Sequence, residues 1–281
     1  MNGGKTDINI TLDTDIDLTG KDWTPIGTDY DNSYKGTFDG GGHTITGLTF
    51  TTNDEYAGLF GWLNRAGTVK NVVMEGVQIT SNQIYGGSIG GVVGYSWGTI
   101  ENCSVSGSVS GTVYVGGVVG AQIGGSITGC SSSATVKGTV DVGGVAGQTN
   151  SNATMTACYA TGNMTLEIAS QNNIDVGGLV GFNGGKGVRA CYATGNVTST
   201  GSSTGNVHIF GLLGDNYTTV TACYWKNNQE RGYKTAPESM KVDGTYVTWQ
   251  KAVDAMNTAL QNARSEWRYE LKGALPTLRK Q

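Results

Sequence analysis

From about residue 55 to 225, short apolar clusters recur with polar and small residues between them, and no helical period appears. Gly-apolar-apolar-Gly clusters begin at Gly58, Gly91, Gly117, Gly144, Gly178 and Gly211, spaced 33, 26, 27, 34 and 33 residues apart. Each of the last five is followed 12 to 14 residues later by a cysteine: Cys103, Cys130, Cys158, Cys191 and Cys223. Between these landmarks lie segments rich in Val, Ile, Thr and Tyr, broken by Gly, Asn and Ser. That pattern predicts strands of three to five residues joined by tight turns. Units of this kind cannot bury a face alone and must stack on one another. Three short strands per unit of about 30 residues predict an all-β, parallel β-helix, one unit per coil, with like positions ~4.8 Å apart along the axis.

The inward face can be followed as rows. Val69, Ile100, Ile127, Met155, Val188 and Val220 form one. Three residues later come Val72 and the five cysteines, and two further on Met74, Val105, Ser132, Ala160, Ala193 and Trp225. An offset of three breaks strand alternation, so a bend is expected at Asn71, Asn102, Gly129, Ala157, Ala190 and Ala222. Asn and Gly accept a left-handed corner readily; alanine fits it less well, so the later bends are expected to differ. The cysteines share a row with Val72, which predicts buried free thiols acting as small apolar fillers, neither disulfide-bonded nor metal-binding.

The ends depart from the repeat. Residues 5–50 read as an entry cap and first irregular coil. Trp249, Val253, Met256, Leu260, Ala263 and Trp267 fall on one helical face, predicting a helix over 248–267 as a lid on the last coil, with a return segment near Leu275–Leu278. The expected divisions of one continuous domain are 1–54, 55–234 and 235–281.

Composition removes several classes of function. Glycine is 46 of 281 residues without a Gly-X-Y period, and only 14% of residues are charged, which excludes collagen and coiled coils. A net charge of −4 argues against nucleic acid, and no apolar run reaches the ~20 residues of a membrane helix. The FDGGGH segment, Phe38–His43, reads as a turn, because it precedes no helix and lacks the Lys-Ser/Thr of a phosphate loop.

Taken together, the Gly-Gly-Leu/Val-Val-Gly cores with a cysteine at fixed distance, the TLDTDIDLTGKDWTPIGT and GTFDGGGHTITGL entry segments and the Trp267 to Leu275-Pro276 tail resemble the GLUG-motif repeat family of secreted or surface bacterial proteins. The resemblance implies a right-handed parallel β-helix with an N-terminal entry cap and a C-terminal capping helix. It also implies an extracellular or cell-surface, adhesin-like role, with any signal peptide already removed. It supplies no catalytic residue, cofactor or metal.

Two outward rows could carry binding. Tyr159, Tyr192 and Tyr224 directly follow cysteines on adjacent coils. They form either an exposed strip for stacking against sugars or a ladder packing on itself. Glu55, Ser88, Tyr114, Asp141, Asp175 and His208 stand three residues before a cluster glycine. There Asp141 and Asp175 would be neighbours, as a carboxylate pair or calcium site, and His208 could serve as a base. A solvated strand face is the plain alternative. The expectation is a monomeric, non-enzymatic module binding a glycan or host surface, with loops Leu166–Ile174 and Thr198–Val207 as further contact regions. A polysaccharide lyase or glycoside hydrolase using Asp141, Asp175 and His208, and a structural spacer, are the rivals.

Overall fold

A computed structural model describes residues 6–168, 174–201, 205–237 and 240–281. The repeat folds as a parallel β-solenoid of four sheets. The first sheet stacks Tyr56–Ala57, Ser88–Gly90, Tyr114–Gly116, Asp141–Gly143, Ile174–Gly177 and Val207–Phe210. The second stacks Phe60–Leu63, Val93–Ser96, Val119–Gln122, Ala146–Thr149, Val180–Asn183 and Leu213–Asn216. An eight-stranded third sheet carries the Val69-to-Val220 row, and a twelve-stranded fourth sheet the Met74-to-Trp225 row.

Three strands per coil were expected; each full coil has at least four. The glycine clusters are the reason. Gly116 ends one strand, Val118 turns the corner, and Val119 begins the next. A β-carbon on Gly143 would lie 2.0 Å from the Ala146 carbonyl oxygen and 2.7 Å from the Gly181 nitrogen. One on Gly147 would lie 2.4 Å from the Val115 nitrogen. The clusters are therefore glycine because two strands meet backbone to backbone at this corner.

The inward rows lie in the expected registers, with Ile127 between Ile100 and Met155, and Ala160 between Ser132 and Ala193. Together with Ile89, Val115, Val142 and Val176 of the first sheet they form one continuous core. All five cysteines are buried and free. Each thiol donates to a carbonyl of the preceding turn or its own, as Cys103 Sγ does to Val69 O and Glu101 O. Burial pushes the Cys103, Cys158 and Cys191 thiols well above their ordinary value.

All six bends are left-handed, including the alanines: Ala157 has φ 55°, Ala190 51° and Ala222 51°. The expected difference between early and late bends is absent because the alanines are held from outside. Ala157 and Ala190 are fully buried beneath Trp249, Met256, Trp267 and Tyr269, where the corner needs a small side chain.

That contact also revises the tail. The helix runs Trp249–Asn262, capped by Thr248, whose Oγ1 accepts from Lys251 N. Ala263 is its C-cap, and Trp267 starts an antiparallel hairpin, Trp267–Glu270 with Thr277–Lys280. Helix and hairpin pack on the flank of the solenoid, and Lys280 reaches back to Glu101 at 2.8 Å. The last coil is instead closed by the segment after Trp225. Gly211 N and Leu212 N donate to Arg231 O and Gly232 O, and Tyr233 packs on the core. At the other end, Ile10–Thr11 and Ile16–Asp17 already pair with Phe38–Asp39 and Ile45–Thr46, so the entry segment shares the solenoid register. Phe38–His43 makes the expected turn, with Gly41 and Gly42 at positive φ.

Of the expected contact loops, 169–173 and 202–204 lie outside the described residues. Their flanks are not loops: Met164–Ile168 pairs with Val197–Gly201 as an extension of the fourth sheet. Among the described residues no helix is long and apolar enough to cross a membrane.

Candidate functional site

The tyrosine row exists in register but is not an open strip. Tyr159 and Tyr192 stack at 4.9 Å with nearly parallel rings, and Tyr224 pairs beyond them. Tyr192 is 1% exposed, with its edge on Trp249 and Tyr269, and its hydroxyl donates to Pro276 O at 2.6 Å. The C-terminal helix and hairpin occupy this face, so the row seats the tail. Tyr192→Phe removes one buried hydrogen bond and is expected to cost about 1 kcal/mol. It should also hasten proteolytic release of the hairpin; unchanged cleavage would show that the hydroxyl does not anchor it.

The second row holds, with one slip. Ser88, Tyr114, Asp141, Asp175 and His208 are successive register partners. In the first coil, however, the partner of Ser88 is Tyr56, not Glu55. Glu55 remains beside it, accepting from the Tyr56 hydroxyl at 2.6 Å.

Opposite this row stands another on the second sheet: Trp62, Tyr95, Ala121, Gln148, Phe182 and Asp215. The glycine corner brings the two outer rows into contact along the solenoid. Sequence reasoning did not single out the second row. Its signal is simple, since each member lies four residues after the first glycine of its cluster.

At the N-terminal end the paired rows are aromatic. Trp62 lies 4.7 Å from Tyr56 and 4.3 Å from Tyr95 between ring centroids. Tyr30, 69% exposed, stands edge-on to Trp62, and the Arg65 guanidinium lies 5.2 Å over the Trp97 ring. Tyr30, Trp62, Asn64, Arg65 and Trp97 line an open cleft of about 340 Å³. The buried Trp62 Nε1 has no hydrogen-bond partner among the described residues. Burial, then the Glu55 carboxylate, raises the Tyr56 phenol above its ordinary value.

At the other end the rows are acidic. Asp141 and Asp175 are 5% and 4% exposed. His208 Nδ1 lies 2.8 Å from Asp175 Oδ1 and 3.9 Å from Asp215 Oδ2. Burial, then the neighbouring Asp175 and Asp215 charges, pushes the Asp141 carboxyl up to about 8. Asp175 is also raised by burial, against the lowering effect of its His208 hydrogen bond. Tyr114, beside Asp141 in the row, is raised by burial and by the Asp141 charge. The structure thus brings together Tyr114, Asp141, Asp175 and His208 of the expected residues, adds Asp215, and separates the three tyrosines onto another face.

Comparison with known proteins agrees with this architecture. A sequence model of the GLUG motif matches residues 85–110, 111–137 and 172–198. Halomucin of Haloquadratum walsbyi is 39% identical over 102 residues, covering 36% of this chain and 1% of the relative. A "putative Gly-rich membrane protein" of Evansella cellulosilytica is 38% identical over 100 residues, covering 32% of this chain and 11% of the relative. The chain therefore spans only a small part of these curated relatives. A crystal structure described as a "putative immunoglobulin A1 protease" from Bacteroides ovatus superposes with a TM-score of 0.71 at 21% identity, over 97% of this chain and 86% of that one. That likeness concerns the fold. This chain carries GLUG-motif repeats and builds from them a parallel β-solenoid.

Proposed function

We propose that this chain is a non-enzymatic binding module of a secreted or cell-surface protein, and that it engages glycans through the aromatic cleft at its N-terminal end. The cleft carries the reading. Trp62, Trp97 and Tyr30 offer ring surfaces at an accessible site, and Asn64 and Arg65 offer polar groups between them. Aromatic faces bury the apolar face of a sugar, while adjoining donors and acceptors fix its hydroxyls. Halomucin and the Gly-rich membrane protein, by their names, support a surface setting for the segments they share with this chain.

The rival, a polysaccharide-cleaving enzyme, would place its chemistry at Asp141, Asp175 and His208. Five register steps separate Trp62 from Asp215, on the order of 24 Å at ~4.8 Å per coil. A sugar stacked on Trp62 is therefore far from those carboxylates, which are themselves nearly buried.

The test is retention on an immobilised panel of polysaccharides and mucins, with the soluble glycan sized afterwards. Wild type should be retained on at least one glycan without shortening it, and a Trp62→Ala/Trp97→Ala variant with unchanged circular dichroism should bind it at least tenfold more weakly. Shortened glycan would overturn the reading in favour of an enzyme. No retention, or retention indifferent to both tryptophans, would overturn the cleft and favour a spacer or a protein ligand.

A further inference from the structure

The acidic end of the paired rows has a geometry that glycan binding at the aromatic cleft does not use. Asp175, His208 and Asp215 each present a ligand atom, and these atoms lie within 4.8 Å of one another. They converge from two sheets. Asp175 and His208 are register partners in the first, and Asp215 comes from the second across the glycine corner. The corner is backbone-fixed, since a β-carbon on Gly214 would lie 2.5 Å from the Val176 nitrogen and 2.7 Å from the Asp175 carbonyl carbon. Among the described residues, no lysine or arginine pairs with these carboxylates; their one ion-pair partner is His208.

A further carboxyl stands behind that trio. Asp141 lies one coil back, in register with Asp175, and is 95% removed from solvent. The charges of Asp175 and Asp215 both act on it. Three carboxyls gathered with little water around them repel one another when ionised, and a cation answers them together. Access exists from one side. His208 and Asp215 line an open cleft of about 380 Å³ with Asn206, Tyr217, Lys234 and Thr235.

We propose that Asp175, His208 and Asp215, backed by Asp141, form a binding site for one divalent transition-metal ion. Carboxylates alone would suit calcium or magnesium; an imidazole among them shifts preference toward Mn²⁺ or Zn²⁺. The ion would tie the penultimate and last coils together across the corner, close to where the solenoid ends.

The experiment uses the full, untagged chain stripped with chelator and dialysed, titrated with Zn²⁺, Mn²⁺ and Ca²⁺ separately by calorimetry and followed by thermal unfolding. Zn²⁺ or Mn²⁺ should saturate at one ion per chain and raise the unfolding midpoint with ion concentration. His208→Gln and Asp215→Asn, each with wild-type circular dichroism, should each weaken binding at least tenfold. Co²⁺ in the wild type should give a d–d absorption spectrum that changes in His208→Gln, a readout that loss of stability alone would not alter. Absence of saturable binding overturns the site. So does binding that both variants retain, or a preference for Ca²⁺ indifferent to His208. The glycan reading can survive that failure, because its test is scored on Trp62 and Trp97.

Discussion

Gly143→Ala is expected to destabilise the solenoid by about 3–5 kcal/mol, while Gly244→Ala costs only about 1 kcal/mol. The two glycines are needed for different reasons. Gly244 has φ +83° and nothing within 4 Å of an added β-carbon, so alanine there meets only the left-handed backbone penalty. At Gly143 an added β-carbon falls 2.0 Å from Ala146 O and 2.7 Å from both Gly181 N and Val180 Cα. These atoms belong to backbone in two coils and cannot rotate away. The strand pair at the corner must separate, and with it the registers of Asp141 to Gly143 against both neighbouring strands. Urea unfolding of the two variants, followed by circular dichroism, decides the matter. Equal midpoints would mean that the cluster glycines serve conformational freedom, and the close-approach account would fail.

That corner shows how much of the molecule a sequence displays. Stacking registers were readable because position repeats: Ile100, Ile127 and Met155 sit at one distance before their cysteines, and the coils keep that distance. The row offset placed all six bends, but only those at Asn71, Asn102 and Gly129 showed their left hand by residue type; the hand at Ala157 and Ala190 was not readable, because the tail packs upon them. The tail's seat was invisible for the same cause. Tyr192 and Pro276 are 84 residues apart and belong to no common period. The slip from Glu55 to Tyr56 is a local deletion. Ala57 to Phe60 spans three residues where Ile89 to Val93 spans four, so counting back from the glycine fails in that one coil.

The candidate sites were half legible. Tyr114, Asp141, Asp175 and His208 lie on one strand position and were found by following it. Their partners, Trp62 and Tyr95 at one end and Asp215 at the other, also lie at a constant offset, but that row is chemically mixed and reads as noise until the corner folds it against the first. One face of the solenoid thus changes from aromatic to acidic along its axis. The repeat supplies the scaffold, and departures from the repeat supply the chemistry.

Asp141→Asn should remove much of the protein's loss of stability between about pH 4 and pH 8, measured in chelator so that no bound ion intervenes. In the fold the Asp141 carboxyl titrates at about 8, against an ordinary value of 3.8. Burial is the main cause, and Asp175 and Asp215 add to it. Below 3.8 both folded and unfolded chains carry the proton, and the residue imposes no ionisation penalty. As pH rises toward 8 the unfolded chain releases that proton while the folded one keeps it. The unfolded state then binds fewer protons, and stability falls by at most ~1.4 kcal/mol per pH unit from this group. Above 8 the loss is complete and flat, a few kcal/mol in order of magnitude. Asparagine cannot ionise, so the variant should match wild type near pH 4 and exceed it at pH 8. Asp175, raised in the same direction though tempered by His208, leaves a smaller slope in both proteins. Urea midpoints at pH 4.5, 6 and 8 give the comparison. Parallel curves for wild type and variant would show that Asp141 ionises freely in the fold, and that its carboxyl meets water where the structure buries it.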